Sequence, residues 1–378
     1  MTLEGQIRIR LSWDGRQVCG VRIAPRSLAP IRALLRSKQP AEAVRMLPMI
    51  FSLCGQAQAA AAAAALQAAG ATNAGCTAPS LSLERCVLLE ALQELLWRLL
   101  LDLPTLMQGS PAMDSFARLR RALTECKAEV AEAAWQEKIR ALERAVGDAL
   151  LGPSAPGLNV VADRRALTSF LGTAGTPTAG YLLACMYDEL TVTRCAVQLL
   201  PALDSKQVLE ELLPSRHNDA GFSSLPYWRG RPAETGSLAR MQHHPLVAGI
   251  LMESGPNTAL RLVARLLEIG DLFSRLRAPD LPGDSVVQGA PCGPDSGVAW
   301  VQNARGLLLH RVSLDKDGAI ADYCLVAPTE WNFHPEGSCV AGLTGMPAAS
   351  ESEARRKAQL LIHSLDPCVA YKIEVDHA

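Results

Sequence analysis

The sequence predicts an α+β fold that is mostly helical, with a small mixed sheet built from both ends of the chain. Residues 6–11 alternate apolar and polar side chains, and Asp14-Gly15 supplies a turn into residues 18–21, which is typical of a β-hairpin. The middle of the chain is rich in Ala and Leu at helical spacing, and short apolar runs typical of strands return after residue 297.

The composition limits the possible functions. With 378 residues, 49% of them hydrophobic and 20% charged, the chain can bury a core and is not disordered. Its 37 basic and 38 acidic residues give a net charge of −1, which offers no electrostatic basis for binding nucleic acid. Charged residues interrupt the most apolar segment, residues 87–103, so we expect no membrane span. No secretory signal is visible at Met1, and a cytoplasmic protein is expected.

The first half of the chain predicts a series of helices. Residues 28–50 have helical spacing that is broken near Pro40, and an alanine-rich helix follows Cys54-Gly55 and stops at Gly70. A smooth alanine helix suits the centre of a protein, where other elements approach closely. After a loop at residues 71–81, we expect helices over residues 82–101, ending before Pro104, and over residues 115–151.

The second half changes from helices to strands. We expect helices over residues 178–200 and from the cap Asn257 to about Leu276, and residues 278–295 are rich in Pro and Gly. The expected strands and last helix are residues 298–301, 306–312, 320–326 and 350–365, with a hairpin turn at Asp317-Gly318. We predict a single domain over residues 1–378, with a helical core at about 28–276 and a C-terminal strand and ligand segment at about 297–371.

The eleven cysteines form no Cys-x-x-Cys pair, so the usual zinc and iron–sulfur spacings are absent from the sequence. Taken singly, each cysteine is more typical of a small buried hydrophobic residue than of a ligand. The histidines also lack metal-ligand spacing, and we interpret the following six as structural or surface residues: His217, His243, His244, His310, His334 and His363.

Several blocks are more specific. They are Ala304-Arg305-Gly306, residues 326–332 (Val-Ala-Pro-Thr-Glu-Trp-Asn) and residues 364–368 (Ser-Leu-Asp-Pro-Cys). Together with Cys54-Gly55 and Glu234-Thr235-Gly236-Ser237-Leu238-Ala239-Arg240, in the same order, they resemble the large subunit of nickel–iron hydrogenases. The resemblance covers about residues 5–371 and implies a large-subunit-like fold.

The chain departs from that family at its metal ligands. The family binds nickel and iron with two Cys-x-x-Cys pairs, and here Ala57 and Tyr371 stand where the second, metal-bridging cysteine of each pair is expected. Cys54 and Cys368 match the terminal nickel ligands. The carboxylate that passes protons near the nickel in the family has no match between Asp14 and Glu42. Catalytic hydrogen turnover is therefore not expected.

The part of the pocket that contacts the diatomic ligands of iron is kept. Arg305 and Thr329 match family residues that lie near the iron cyanides, and a cyanide nitrogen is a good acceptor for a guanidinium or hydroxyl. This pattern resembles the hydrogenase formation proteins of the HupK/HoxV type, understood as maturation scaffolds.

The resemblance implies an Fe(CN)2(CO) fragment bound by Cys54 and Cys368, with Arg305 and Thr329 as donors and no nickel. The implied partners are iron–cyanide assembly and maturation proteins and a hydrogenase large-subunit precursor. Two alternatives stay open: a structural relative that binds no metal, and a residual metalloenzyme with one metal.

Overall fold

The computed structural model of the protein describes residues 5–71, 80–129, 131–153, 161, 163–187, 197–213, 219–278 and 285–378. The expected loop at residues 71–81 lies mostly outside these ranges. Among the helices of the described residues, none combines the length and the apolar character that crossing a membrane requires.

Both ends of the chain meet in one three-stranded mixed sheet. Strands β1 (Ile7–Trp13) and β2 (Val18–Ala24) form the predicted antiparallel hairpin, and β9 (Tyr371–His377) pairs in parallel with the other edge of β1. The predicted mixed sheet is therefore confirmed. Its apolar face, which includes Ile9 and Leu11, belongs to the same hydrophobic cluster as Cys368, so the sheet fixes the segment that carries this thiol.

A separate antiparallel sheet contains β5 (Val287–Gly293), β6 (Ser296–Asn303), β7 (Gly306–Leu314) and β8 (Ile320–Val326), in that order. The last three confirm the predicted strands. Strand β5 lies within the Pro/Gly-rich residues 278–295 and pairs with β6 as an edge strand, where Pro291 is tolerated. A short parallel pair joins β3 (Gln198–Leu199) to β4 (Ala233–Glu234).

The helices surround these sheets. Most of those before α14 contribute to one large apolar cluster, whereas the apolar residues of α14, α15 and α16 belong to two smaller clusters. Those before residue 200 are α1 (Ala29–Leu35), α2 (Pro40–Ile50), α3 (Gly55–Ala68), α4 (Ser80–Trp97), α5 (Leu103–Leu106), α6 (Met113–Lys127), α7 (Glu132–Leu151), α8 (Arg164–Thr173) and α9 (Pro177–Tyr187). Those after it are α10 (Asp219–Ser224), α11 (Ser237–Met241), α12 (Pro245–Ser254), α13 (Thr258–Arg277), α14 (Pro328–Asn332), α15 (Ser338–Leu343) and α16 (Glu351–Leu365).

Several predicted helix boundaries are confirmed. The break at Pro40 begins α2, and the Asn257 side chain accepts a hydrogen bond from the Leu260 N–H at 2.9 Å, which caps α13. Ser350 caps α16 in the same way, through a 3.2 Å bond from the Glu353 N–H. These ends were predictable because each depends on residues that are adjacent in sequence.

Three predicted helix limits were wrong. Residues 115–151 form two helices, α6 and α7, which pack against each other so that both apolar faces are buried. The helix expected to end before Pro104 instead continues through a π-helical segment, Arg98–Asp102, into α5. Pro104 does not stop it, because it lies in the first turn of α5, where a proline is tolerated. The helix expected over residues 178–200 corresponds to α9, which ends at Tyr187. Residues 188–196 lie outside the described ranges, and residues 198–199 form a strand.

The alanine-rich helix α3 is central, as predicted. Six of its nine alanines are buried, and a Cβ added to Gly297 of β6 would come within 2.2 Å of the Ala65 carbonyl oxygen. The backbones of α3 and β6 are therefore in direct contact. This contact lies at the C-terminal end of α3, and Cys54 is the N-cap residue at the opposite end of the helix.

Candidate functional site

Cys54 lies buried immediately before α3. The Gln58 side-chain Nε2 lies 3.6 Å from the Cys54 Sγ atom. The Glu90 carboxylate accepts hydrogen bonds from the backbone N–H groups of Gln56, at 2.7 Å, and Ala57, at 3.0 Å. These bonds satisfy N–H groups that the first turn of a helix leaves without partners. The hydrogen bonds to Glu90 therefore fix the turn that follows Cys54, and Gln58 contacts its thiol.

Cys368 follows the C-terminus of α16, where Asp366 takes the left-handed conformation with φ 55°. The Cys368 N–H donates to the Thr329 Oγ1 atom at 3.2 Å, and the same oxygen lies 3.0 Å from the Cys368 Sγ atom. Because Oγ1 accepts the N–H, its own hydroxyl proton is available to the sulfur. Thr329 therefore fixes both the backbone and the thiol of Cys368.

Arg26 adds a guanidinium that the sequence did not reveal. Its Nη2 atom lies 3.8 Å from the Cys368 Sγ atom, and its Nε atom pairs with Glu330 Oε1 at 2.5 Å. Burial acts to lower the pKa of Arg26, but Glu330 and the thiols of Cys368 and Cys54 together raise it above its ordinary value. Arg26 is therefore a permanent cation that faces both sulfurs.

Arg305 supplies the second guanidinium and is only 2% exposed. Its Nη2 atom donates to Glu94 at 2.6 Å, and its Nε atom lies 3.2 Å from Asp366 Oδ1 in an ion pair without hydrogen-bond geometry. The Nη1 atom is buried and has no hydrogen-bond partner among the described residues. A buried N–H without an acceptor is costly, so this atom is suited to an acceptor on a ligand.

Asp366 anchors the segment before Cys368. It accepts a 2.8 Å hydrogen bond from Arg98 Nε, and its Oδ2 atom lies 3.6 Å from Arg265 Nη2. Burial acts to raise the pKa of Asp366, but the guanidiniums of Arg98, Arg305 and Arg265 hold it well below its usual range. The carboxylate is therefore ionised at every physiological pH, and it ties the Cys368 segment to Arg305.

The fold brings the four predicted site residues to one buried place. Burial raises the pKa of the Cys54 thiol, and the nearby Cys368 thiol is the next largest influence, while Arg305 acts in the opposite direction. Cys368 in turn contacts Thr329. Two thiols far apart in sequence thus share a pocket with two guanidiniums, which lowers the cost of forming thiolates.

The structure also shows what occupies the positions of the two missing cysteines. Ala57 is fully buried in the first turn of α3, and Tyr371 begins β9 with its phenol half-buried. Within the described part of the chain, no group of three or more His, Cys, Asp or Glu side chains is arranged to hold a metal ion. The candidate metal ligands in this pocket remain the thiols of Cys54 and Cys368.

Sequence reasoning missed three contributors to this pocket: Arg26, Gln58 and Glu90. Gln58 could have been found, since a residue four positions after Cys54 lies on the same face of a helix. His310 was interpreted as structural or surface; it is fully buried, and its Nε2 atom lies 3.0 Å from the Gln58 side-chain oxygen. His310 is therefore linked to Cys54 through Gln58.

Comparisons with known proteins agree with this architecture. The nickel-dependent hydrogenase family matches residues 286–373. The nickel–iron–selenium hydrogenase from Desulfomicrobium baculatum superposes with a TM-score of 0.63 at 15% identity, over 95% of each chain. The fold is accordingly that of nickel–iron hydrogenase large subunits.

Two relatives match over nearly their whole length. The hydrogenase expression/formation protein HupK of Rhizobium leguminosarum bv. viciae is 31% identical over 99% of this chain and 97% of its own. The hydrogenase expression/formation protein HoxV of Cupriavidus necator is 32% identical over 97% of this chain and 95% of its own. The chain belongs to this family of hydrogenase expression/formation proteins, HupK/HoxV.

Proposed function

We propose that this protein is a non-catalytic scaffold in hydrogenase maturation, which carries an Fe(CN)2(CO) fragment in the cytoplasm and transfers it to a hydrogenase large-subunit precursor. The names of the full-length relatives support a role in hydrogenase formation. The observation that carries the proposal is the shared pocket of Cys54 and Cys368, in which Ala57 and Tyr371 replace the bridging cysteines.

The donor set suits such a cargo. Thiolates are soft ligands for low-spin iron, and iron-bound cyanide nitrogens are acceptors for charged N–H donors. Arg305 has a buried Nη1 atom with no partner among the described residues, and Arg26 faces both sulfurs as a cation. Both guanidiniums are already paired with carboxylates, Arg26 with Glu330 and Arg305 with Glu94 and Asp366, so toward the fragment they would act as N–H donors.

The small number of ligands favours transfer. This chain lacks the two metal-bridging cysteines that the four-cysteine site of a hydrogenase large subunit provides for iron. An acceptor whose cysteines are placed to bridge iron to a second metal would retain the fragment better, so the fragment would move toward it. The absence of the two bridging cysteines would therefore help a carrier to release the fragment.

Infrared spectroscopy of the full-length protein, purified without oxygen from cells that make active hydrogenase, tests the proposal. We expect carbonyl and cyanide stretches without stoichiometric nickel. The Cys368→Ala variant should lose these bands and keep the fold, whereas Cys185→Ala, which alters a buried cysteine of α9, should retain them.

Two results would contradict a carrier. Absence of bands from the wild-type protein would favour a structural relative that binds no metal. Nickel together with hydrogen turnover would favour a residual metalloenzyme. Bands that persist in Cys368→Ala would show that this residue is not a ligand.

A further inference from the structure

A buried row of hydrogen bonds leads away from Cys54. The Cys54 Sγ atom contacts Gln58 Nε2 at 3.6 Å, Gln58 Oε1 contacts His310 Nε2 at 3.0 Å, and His310 Nδ1 contacts the Tyr323 hydroxyl at 2.7 Å. His310 and Tyr323 are at most 1% exposed, and Gln58 is also 1% exposed. The row is therefore shielded from water, and its members must satisfy one another.

The direction of these bonds can be deduced. Burial lowers the pKa of His310 to about 3, so the imidazole is neutral and has one N–H. If Gln58 Oε1 accepts from Nε2–H, then Nδ1 is an acceptor, and the Tyr323 hydroxyl donates to it. The Gln58 amide then donates its N–H to the Cys54 sulfur. Each donor in the row thus points toward Cys54.

The opposite direction is unfavourable. It would require the Gln58 amide to turn over, so that Oε1 accepts from a Cys54 S–H and the amide N–H donates to His310 Nε2. A His310 Nδ1–H would then donate to the Tyr323 oxygen. The Tyr323 hydroxyl proton would then have no acceptor among the described residues, and an unpaired buried hydroxyl is unfavourable. The row therefore favours a Cys54 sulfur that accepts a hydrogen bond, which both a neutral thiol and a metal-bound thiolate can do.

We propose that Tyr323, His310 and Gln58 form a positioning relay that keeps an N–H donor on the Cys54 sulfur and so tunes its bond to the iron of the carried fragment. His310 and Tyr323 act through Gln58 and touch neither the sulfur nor the cargo. Hydrogen bonds to a ligand atom alter its electron donation to a metal. The proposal rests on the carrier function proposed above.

Removing the donor should change the spectrum of the loaded protein. Without the N–H bond, the sulfur donates more electron density to iron, and back-donation weakens the carbonyl bond. In Gln58→Met, which keeps the length of the side chain, the carbonyl stretch should therefore move to lower wavenumber. Tyr323→Phe should cause a smaller shift in the same direction. Tyr227→Phe, the same change at a tyrosine whose hydroxyl contacts Glu336, is the control and should cause none.

A second measurement needs no cargo. Nitrogen-15 NMR of the empty wild-type protein should show His310 with its proton on Nε2, with the signal assigned by its loss in His310→Asn. A proton on Nδ1, or an unchanged carbonyl stretch in Gln58→Met, would overturn the relay. If the wild-type protein shows no bands at all, the carrier function fails, and the NMR result still decides the direction of the row.

Discussion

Replacing Thr329 by valine tests how the pocket holds Cys368. Valine has nearly the shape of threonine, so the substitution removes the hydroxyl and little else. That hydroxyl oxygen lies 3.0 Å from the Cys368 sulfur and 3.2 Å from the Cys368 nitrogen, and it is buried. The variant therefore loses a donor to the thiol and the acceptor of a backbone N–H.

The expected loss follows from these two contacts. A typical intramolecular hydrogen bond contributes about 1 kcal/mol, and leaving the buried Cys368 N–H without an acceptor costs about 1–3 kcal/mol. We therefore expect Thr329→Val to lower the free energy of unfolding by about 2–4 kcal/mol. If the thiol also loses its orientation, retention of the iron fragment should fall by at least about tenfold, which corresponds to 1.4 kcal/mol.

Thermal unfolding followed by circular dichroism measures the first effect, and the intensity of the cyanide and carbonyl bands per protein measures the second. Thr329→Ser keeps the hydroxyl and is the matched control, for which both values should stay near those of the wild type. Unchanged stability and unchanged bands in Thr329→Val would show that this hydroxyl does not hold Cys368, and the description of the pocket would be wrong.

Two further predictions concern α3. Gly297→Ala should lower the melting temperature clearly, since the new Cβ meets backbone atoms at the C-terminal end of α3 at 2.2–2.7 Å and overpacking costs about 1–3 kcal/mol or more. The control is Gly249→Ala on α12, where the new Cβ has open space and the effect should be neutral or slightly stabilising. Equal melting temperatures for the two variants would refute the contact between α3 and β6. Burial raises the pKa of Glu90 from 4.5 to about 7, so the folded state binds this proton more tightly and stability falls as pH rises from 4.5 to about 7. The melting temperature of Glu90→Gln should fall less over that range than that of the wild type, and an equal or larger fall would contradict the assignment.

Local signals made much of the fold predictable. The β1–β2 hairpin, the Asn257 cap and the β7–β8 turn each depend on a few adjacent residues, and all three are present. β5 was not predictable, because its Pro and Gly residues argue against a strand and only pairing with β6 overrides them. The division of α6 from α7 likewise depends on packing between the two helices.

Only the site residues that lie in sequence motifs were predictable. Cys54, Arg305 and Cys368 lie in recognisable blocks, and the fold brings them together. Arg26 gave no such signal, because its partner Glu330 lies 304 positions away in sequence. Side chains that complete a pocket across such separations are determined by the tertiary structure, which a local pattern does not encode.

The positions of the two thiols at helix ends have a consequence for the rate of cargo exchange. Cys54 begins α3, and Cys368 lies just beyond α16, where arginines hold Asp366. Because neither thiol is on a long free loop, their separation can change only if these helices move as rigid bodies. Such collective motions take microseconds to milliseconds. Loading and unloading should therefore proceed no faster than this, however quickly the acceptor diffuses to the protein.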